Sequence, residues 1–224
     1  MIRFVHVNDI PTSGFAGIVE TQMVKSPRLW PTAQNQPLIS HGLGDFVYLA
    51  NGYFKPNDGV PIHPHKDVDI ASFIVSGAVG HEGTLGHGTT IQAPGVQIQR
   101  AGTGMQHSEF NLTDNAAEII QLWFLPPSKG LSPAYQNIVL QEGELTTVLG
   151  DVDKGTFDNN MLCQIGYLTD DQRVEVNQPF IALITRGEAD VNGQIIDQGT
   201  LVEGDSAIIT GKHKLGIVLI TTKG

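Results

Sequence analysis

Short apolar runs, each stopped by glycine, recur in this chain at a fixed spacing. That recurrence restricts the fold more than any other feature. Ile70-Ala71-Ser72-Phe73-Ile74-Val75-Ser76-Gly77 is matched by Phe180-Ile181-Ala182-Leu183-Ile184-Thr185-Arg186-Gly187. Pro94-Gly95-Val96-Gln97-Ile98 is matched by Glu203-Gly204-Asp205-Ser206-Ala207-Ile208-Ile209. From turn to turn, Gly77 to Gly95 is 18 residues and Gly187 to Gly204 is 17. Runs of this length, alternating or apolar on both faces, read as strands, and Asn192-Gly193 marks a tight hairpin. The 26 glycines and 12 prolines interrupt anything longer, and amphipathic helical periodicity is nearly absent. An all-β chain made of two copies of a small sheet unit is expected. The proline-bounded stretch 126–133 reads as the linker, which gives two domains, 1–130 and 131–224.

The first copy carries chemistry. Pro61-Ile62-His63-Pro64-His65 is followed by Ala101-Gly102-Thr103-Gly104-Met105-Gln106-His107-Ser108-Glu109. On a strand, positions i and i+2 share a face. His63 with His65, and His107 with Glu109, therefore project together if the two strands pair. A lone His-x-His is commonly a surface accident; a second pair at the same spacing argues for a site. Three imidazoles and a carboxylate suit a first-row transition metal. The second copy lacks these residues. His65 lies 12 before Gly77 and His107 lies 12 after Gly95, whereas the equivalent places hold Glu175 and Gly216. His213 is the one histidine beyond His107.

Charge and cysteine content remove several classes. A net charge of −10 and the lack of a Lys/Arg cluster argue against nucleic acid or an anionic membrane surface. No run approaches a membrane span, and no signal peptide is legible at the N-terminus. The single cysteine, Cys163, forbids an internal disulfide and fits a cytoplasmic setting.

Four pieces of this sequence resemble the pirin family of bicupins: His63-Pro64-His65, Ala101-Gly102-x-Gly104-x-x-His107-Ser108-Glu109, Gln121-Leu122-Trp123 with Leu125-Pro126, and Pro133-x-Tyr135-Gln136. The resemblance covers roughly residues 45–136. It implies two tandem cupin (double-stranded β-helix, jelly-roll) barrels, the first metal-binding and the second without ligands. It implies one mononuclear divalent metal on His63, His65, His107 and Glu109, iron(II) foremost, with nickel, copper, manganese and zinc as alternatives. Two roles are implied. One is a quercetin 2,3-dioxygenase-like enzyme acting on a flavonol or other phenolic compound and dioxygen, with Glu109 as ligand and proton acceptor. The other is a non-catalytic metal protein that binds a protein partner in a redox-dependent way. Where the family carries Arg-Gly-Phe-Glu, this chain has Lys66-Asp67-Val68-Asp69, a departure that bears on substrate preference.

Other residues have plainer readings. Phe73, Ile98 and Trp123 are candidates to line an apolar, water-excluding site, or plain core. Asp67 and Asp69 either orient a ligand imidazole or form salt bridges. His81 and His87 read as solvated loop histidines, and Cys163 as buried packing.

Overall fold

In the computed structural model, which describes residues 1–85 and 88–223, the chain is strand and turn throughout. In chain order the first strands are β1 Arg3–His6, β2 Ser13–Phe15, β3 Ile18–Lys25, β4 Phe46–Phe54, β5 Asp58–His65, β6 Asp69–Ser76, β7 Ala78–Gly83, β8 Thr89–Gln92, β9 Gly95–Arg100, β10 Met105–Asn111, β11 Ala117–Phe124 and β12 Ala134–Val139. The rest are β13 Leu145–Leu149, β14 Met161–Leu168, β15 Arg173–Val176, β16 Phe180–Val191, β17 Gln194–Asp197, β18 Thr200–Gly204 and β19 Ala207–Thr222. Helix is limited to short 3₁₀ turns at Val7–Asp9, Pro31–Asn35 and Val152–Lys154. The fold is the expected all-β tandem jelly roll.

Three sheets build it. A four-stranded sheet, β5-β10-β7-β8, faces a seven-stranded sheet, β12-β9-β6-β11-β4-β3-β2. An eight-stranded sheet carries the path β1-β18-β16-β19-β14-β13, with β15 on β19 and β17 on β16. Strands cross between the two halves of the sequence. Arg3–His6 pairs with Thr200–Glu203, and Ala134–Val139 pairs with Gly95–Arg100.

Side-chain alternation sorts the core into layers. One face of the seven-stranded sheet sends Phe46, Ala71, Phe73, Val96, Ile98, Ile120, Leu122 and Phe124 against Cys163, Ile165, Leu183, Val218 and Ile220 of the eight-stranded sheet. Phe73 and Ile98 are therefore fully buried core between the halves, not walls of the histidine site. Cys163 is in the same layer, and burial pushes its thiol well above the usual range. The other face of the seven-stranded sheet looks toward the four-stranded sheet. There, Ile70, Ser72 and Ile74 follow one another on β6. Ile74 joins an apolar cluster with Phe54, Val60, Val79 and Ile119; Ile70 joins one with Val68, Ala101 and Met105. Ser72 lies between these two plugs, in a polar layer.

Beneath the turn after His65, Asp69 is completely buried and takes a two-pronged ion pair from Arg100 (2.8 and 2.7 Å) with a further bond from Asn159. Asp67, at φ +52°, accepts from the Gly130 amide. The strand ends at His65, so neither carboxylate continues its face; both are structural.

Candidate metal centre

β5 and β10 pair antiparallel with His107 directly opposite His63 and Met105 opposite His65. A bulge between His107 and Glu109 shifts the register, so Glu109 faces Val60 instead of Pro61. On its other edge β10 meets β7, with His107 across from Gly83 and Glu109 across from His81. Gly83 is required there, because a β-carbon would collide with the Gln106 carbonyl and the β-carbon of His107.

One ring nitrogen from each of His63, His65 and His107 lies within 4.8 Å of the other two. The Nε2 atoms of His63 and His107 are 3.0 Å apart. Two imidazole nitrogens at right angles about an ion, each bound at about 2.1 Å, would be about 3.0 Å apart. The Nδ1 of His63 sits 2.9 Å from the Pro61 carbonyl. That contact places its proton on Nδ1 and leaves the Nε2 lone pair for a metal. The donor set thus fits a transition metal.

Electrostatics agree. Burial, reinforced by His63, lowers His65 to about 4. Burial, reinforced by His65, His63 and His81, lowers His107 to about 2. Metal ligands must be neutral imidazoles, and these are neutral across the physiological range. Glu109, 3% exposed, is pushed up to about 7 by burial, opposed by bonds from Ser72 Oγ and Gln121 Nε2, each 3.2 Å. Those two donors hold one carboxylate oxygen each, and the convergent metal-capable group comprises the histidines without Glu109.

The surroundings divide in two. Beside His65 stands an aromatic wall: Trp123 meets it edge-on at 5.3 Å, and Tyr48 and Trp30 pack behind. Trp123 was the expected lining residue that does reach the site. Its Nε1 donates to Gln121, which itself holds Glu109. Beside His107 stands His81, completely buried on β7 and not in a solvated loop. Its Nε2 lies 3.1 Å from Gln99 Oε1; Gln99 donates to Gln97, and Gln97 to the Tyr135 hydroxyl. The interior is therefore polar where an apolar one was expected. The alternation Val79-x-His81-x-Gly83 was the signal that β7 runs on through His81. His87 lies outside the described residues. An open hollow of about 600 Å³ adjoins His65, lined by Pro64, Lys66, Thr84, Gly104, Met105 and Gln106.

Comparison with known proteins bears on this site. Residues 34–124 match the family model described as Pirin. A quercetin 2,3-dioxygenase of Escherichia coli K12 is 35% identical over 96 residues, 42% of each chain. A pirin-like protein of Caulobacter vibrioides is 36% identical over 89 residues, 40% of this chain and 38% of that one. The match thus spans about two fifths of these relatives' length, and the family match at 34–124 includes the histidines. The crystal structure of YhhW from E. coli superposes over 100% of this chain and 98% of its own with a TM-score of 0.84, at 18% identity. The structure of that bacterial pirin in complex with nickel(II) gives 0.83 at 19%. At such identity the likeness concerns the fold, and it extends through both halves. Among the described residues, no helix is long and apolar enough to cross a membrane. The motifs, the converging histidines and the family match agree on one stretch: residues 34–124 match the pirin family.

Proposed function

We propose that this protein is a metal-dependent dioxygenase acting on a flavonol or related phenolic compound, in a cytoplasmic setting. The observation that carries the reading is the group of three imidazoles at metal-ligand spacing, beside a buried carboxylate and next to an open hollow. The named activity of the E. coli relative supports the substrate class. His63, His65 and His107 would hold one divalent ion, iron(II) in this proposal, with Glu109 completing the set. The ion would supply Lewis-acid and redox chemistry toward a phenol and dioxygen. The proposed unit of function is 1–130; 131–224 carries no ligands.

The chain's own groups do the rest. The hollow beside His65 admits a flat phenolic ring, and the Lys66 ammonium at its rim favours the phenolate. The edge of Trp123 limits how the ring lies. Glu109, pushed up to about 7, is matched to take a phenolic proton near neutrality. Gln121 and Ser72 steady the carboxylate in either state. The apolar plugs above and below this layer keep bulk water out.

The test is dioxygen uptake by iron- or nickel-loaded protein with quercetin and a panel of phenolics. Glu109→Gln should keep the fold and part of the metal but lose about 10² to 10⁴-fold in turnover, the contribution usual for a general base. Near-native turnover in that variant would leave Glu109 without a proton-transfer role. Stoichiometric metal with no uptake across the panel would overturn the enzyme reading in favour of a metal-dependent, partner-binding regulator.

A further inference from the structure

A cleft of about 480 Å³ opens between the seven-stranded and eight-stranded sheets, and it shares no residue with the histidine group. Such a volume suits a small molecule, and junctions between units are common places for one. One wall is set by strand register. Val19, Tyr53 and Glu118 are neighbours across β3, β4 and β11. One pleat further along, Thr21, Asn51 and Ile120 repeat the row on the same face. The other wall brings Thr185 of β16, Gln198, and Asn8 and Ile10 from the N-terminal segment.

Three features make this more than a gap. Thr185 is 4% exposed and its Oγ has no hydrogen-bond partner among the described residues. A buried hydroxyl left unpaired is uncommon and calls for a reason. The side chains of Thr21 and Asn51 also make no hydrogen bond among the described residues. Among the described residues, the charged groups that line the cleft are the carboxylates Glu20 and Glu118, with no lysine or arginine. Glu20 is engaged by Tyr48 and Gln22. Glu118 accepts from Ser76 at one oxygen, which leaves the other for a ligand. Its register neighbour Tyr53 is 40% exposed. A carboxylate beside an exposed aromatic ring is an arrangement that attracts ammonium groups.

We propose that this cleft binds a small hydroxyl-bearing ammonium compound. The cation lies at Glu118 and Tyr53. The hydroxyl end reaches Asn51, Thr21 and the unpaired Thr185 hydroxyl. An anion is disfavoured by the lining and by the net charge of −10.

The probes are choline and ethanolamine, with glycerol and inorganic phosphate as controls, titrated into the intact metal-loaded protein and followed by calorimetry. Saturable binding of at least one ammonium probe, absent for both controls and weakened by salt, is expected. Glu118→Gln keeps an acceptor for Ser76 and should weaken binding about tenfold, the loss of one charge-assisted hydrogen bond. Thr185→Val, nearly the same shape and without the unpaired hydroxyl, should fold as well as the parent and bind several-fold more weakly. Metal content should stay unchanged in both variants. No saturable binding of either probe at millimolar concentration, equal binding of glycerol, or unaltered affinity in Glu118→Gln would each overturn the proposal.

Discussion

The two halves are built on one plan and filled with opposite materials. Between its sheets, the N-terminal half buries His81, Gln97, Gln99, His107, Glu109 and Asn111. The C-terminal half closes its eight-stranded sheet over Phe180 and a set of aliphatic side chains, among them Ile184, Val202, Ile209, Leu215, Ile217 and Leu219. The contrast separates two uses of one scaffold. Burying polar groups is costly unless each is bonded, so the first half spends its amides and hydroxyls on holding one another. In return it holds unprotonated imidazoles in a fixed place. The second half has no such obligation and contributes stability and a wall.

The largest expected effect breaks the contrast at its centre. His65→Ala should weaken metal binding by more than about 100-fold, beyond the loss seen when only a supporting partner of a ligand is removed. His213→Ala should leave metal content at one per chain. Elemental analysis of protein purified without chelators checks both, and a second metal per chain would erase the distinction between the halves.

Ile217→Ala probes the opposite interior. It should cost about 2–5 kcal/mol in denaturant unfolding, as a cavity in a packed aliphatic core does, while metal content holds. Gln99→Leu should cost less, about 1–3 kcal/mol, because it strips the groups facing His81 Nε2 and Gln97 Oε1. If Gln99→Leu stabilises the protein instead, the polar layer is not held together as described.

A further contrast is in pH. In metal-stripped protein, His65 and His107 are lowered from 6.5 to about 4 and about 2. The stability they contribute is full above pH 6.5 and is lost as pH falls from there. Glu109, raised from 4.5 to about 7, acts in the opposite sense: its contribution is full below 4.5 and is lost as pH rises through about 7. Thermal midpoints across this range should show the acid limb flattened in His65→Asn/His107→Asn and the neutral limb flattened in Glu109→Gln. Ile217→Ala should shift the curve without changing its shape.

Much of this was legible in the residues. Glycine-stopped runs announced the strands and the repeat, and the i, i+2 histidines announced which side chains converge. Their meeting depended on β5 pairing with β10, which spacing suggests but does not compel. The polar layer was harder to see. Val96-Gln97-Ile98-Gln99 alternates like a strand with one wet face, yet here both faces are buried: Ile98 enters the core between the halves and Gln99 faces the histidines. Alternation reports that two faces differ, not that the polar one meets solvent. Phe73, readable as site lining or as plain core, is core, and His81 was hidden by the glycines around it.

The traded strands have a consequence in time. Arg3–His6 belongs beside Thr200–Glu203, so during synthesis this strand has no partner until nearly two hundred further residues have followed. At about 5–20 residues per second, that is a wait of roughly 10–40 s with Phe4 and Val5 uncovered. The edge at Gly95–Arg100 is likewise bare until Ala134–Val139 emerges. During synthesis, then, the half that carries the histidines gains its last strand from the far side of the linker. The half without them takes in Arg3–His6, made long before the Thr200–Glu203 strand it pairs with.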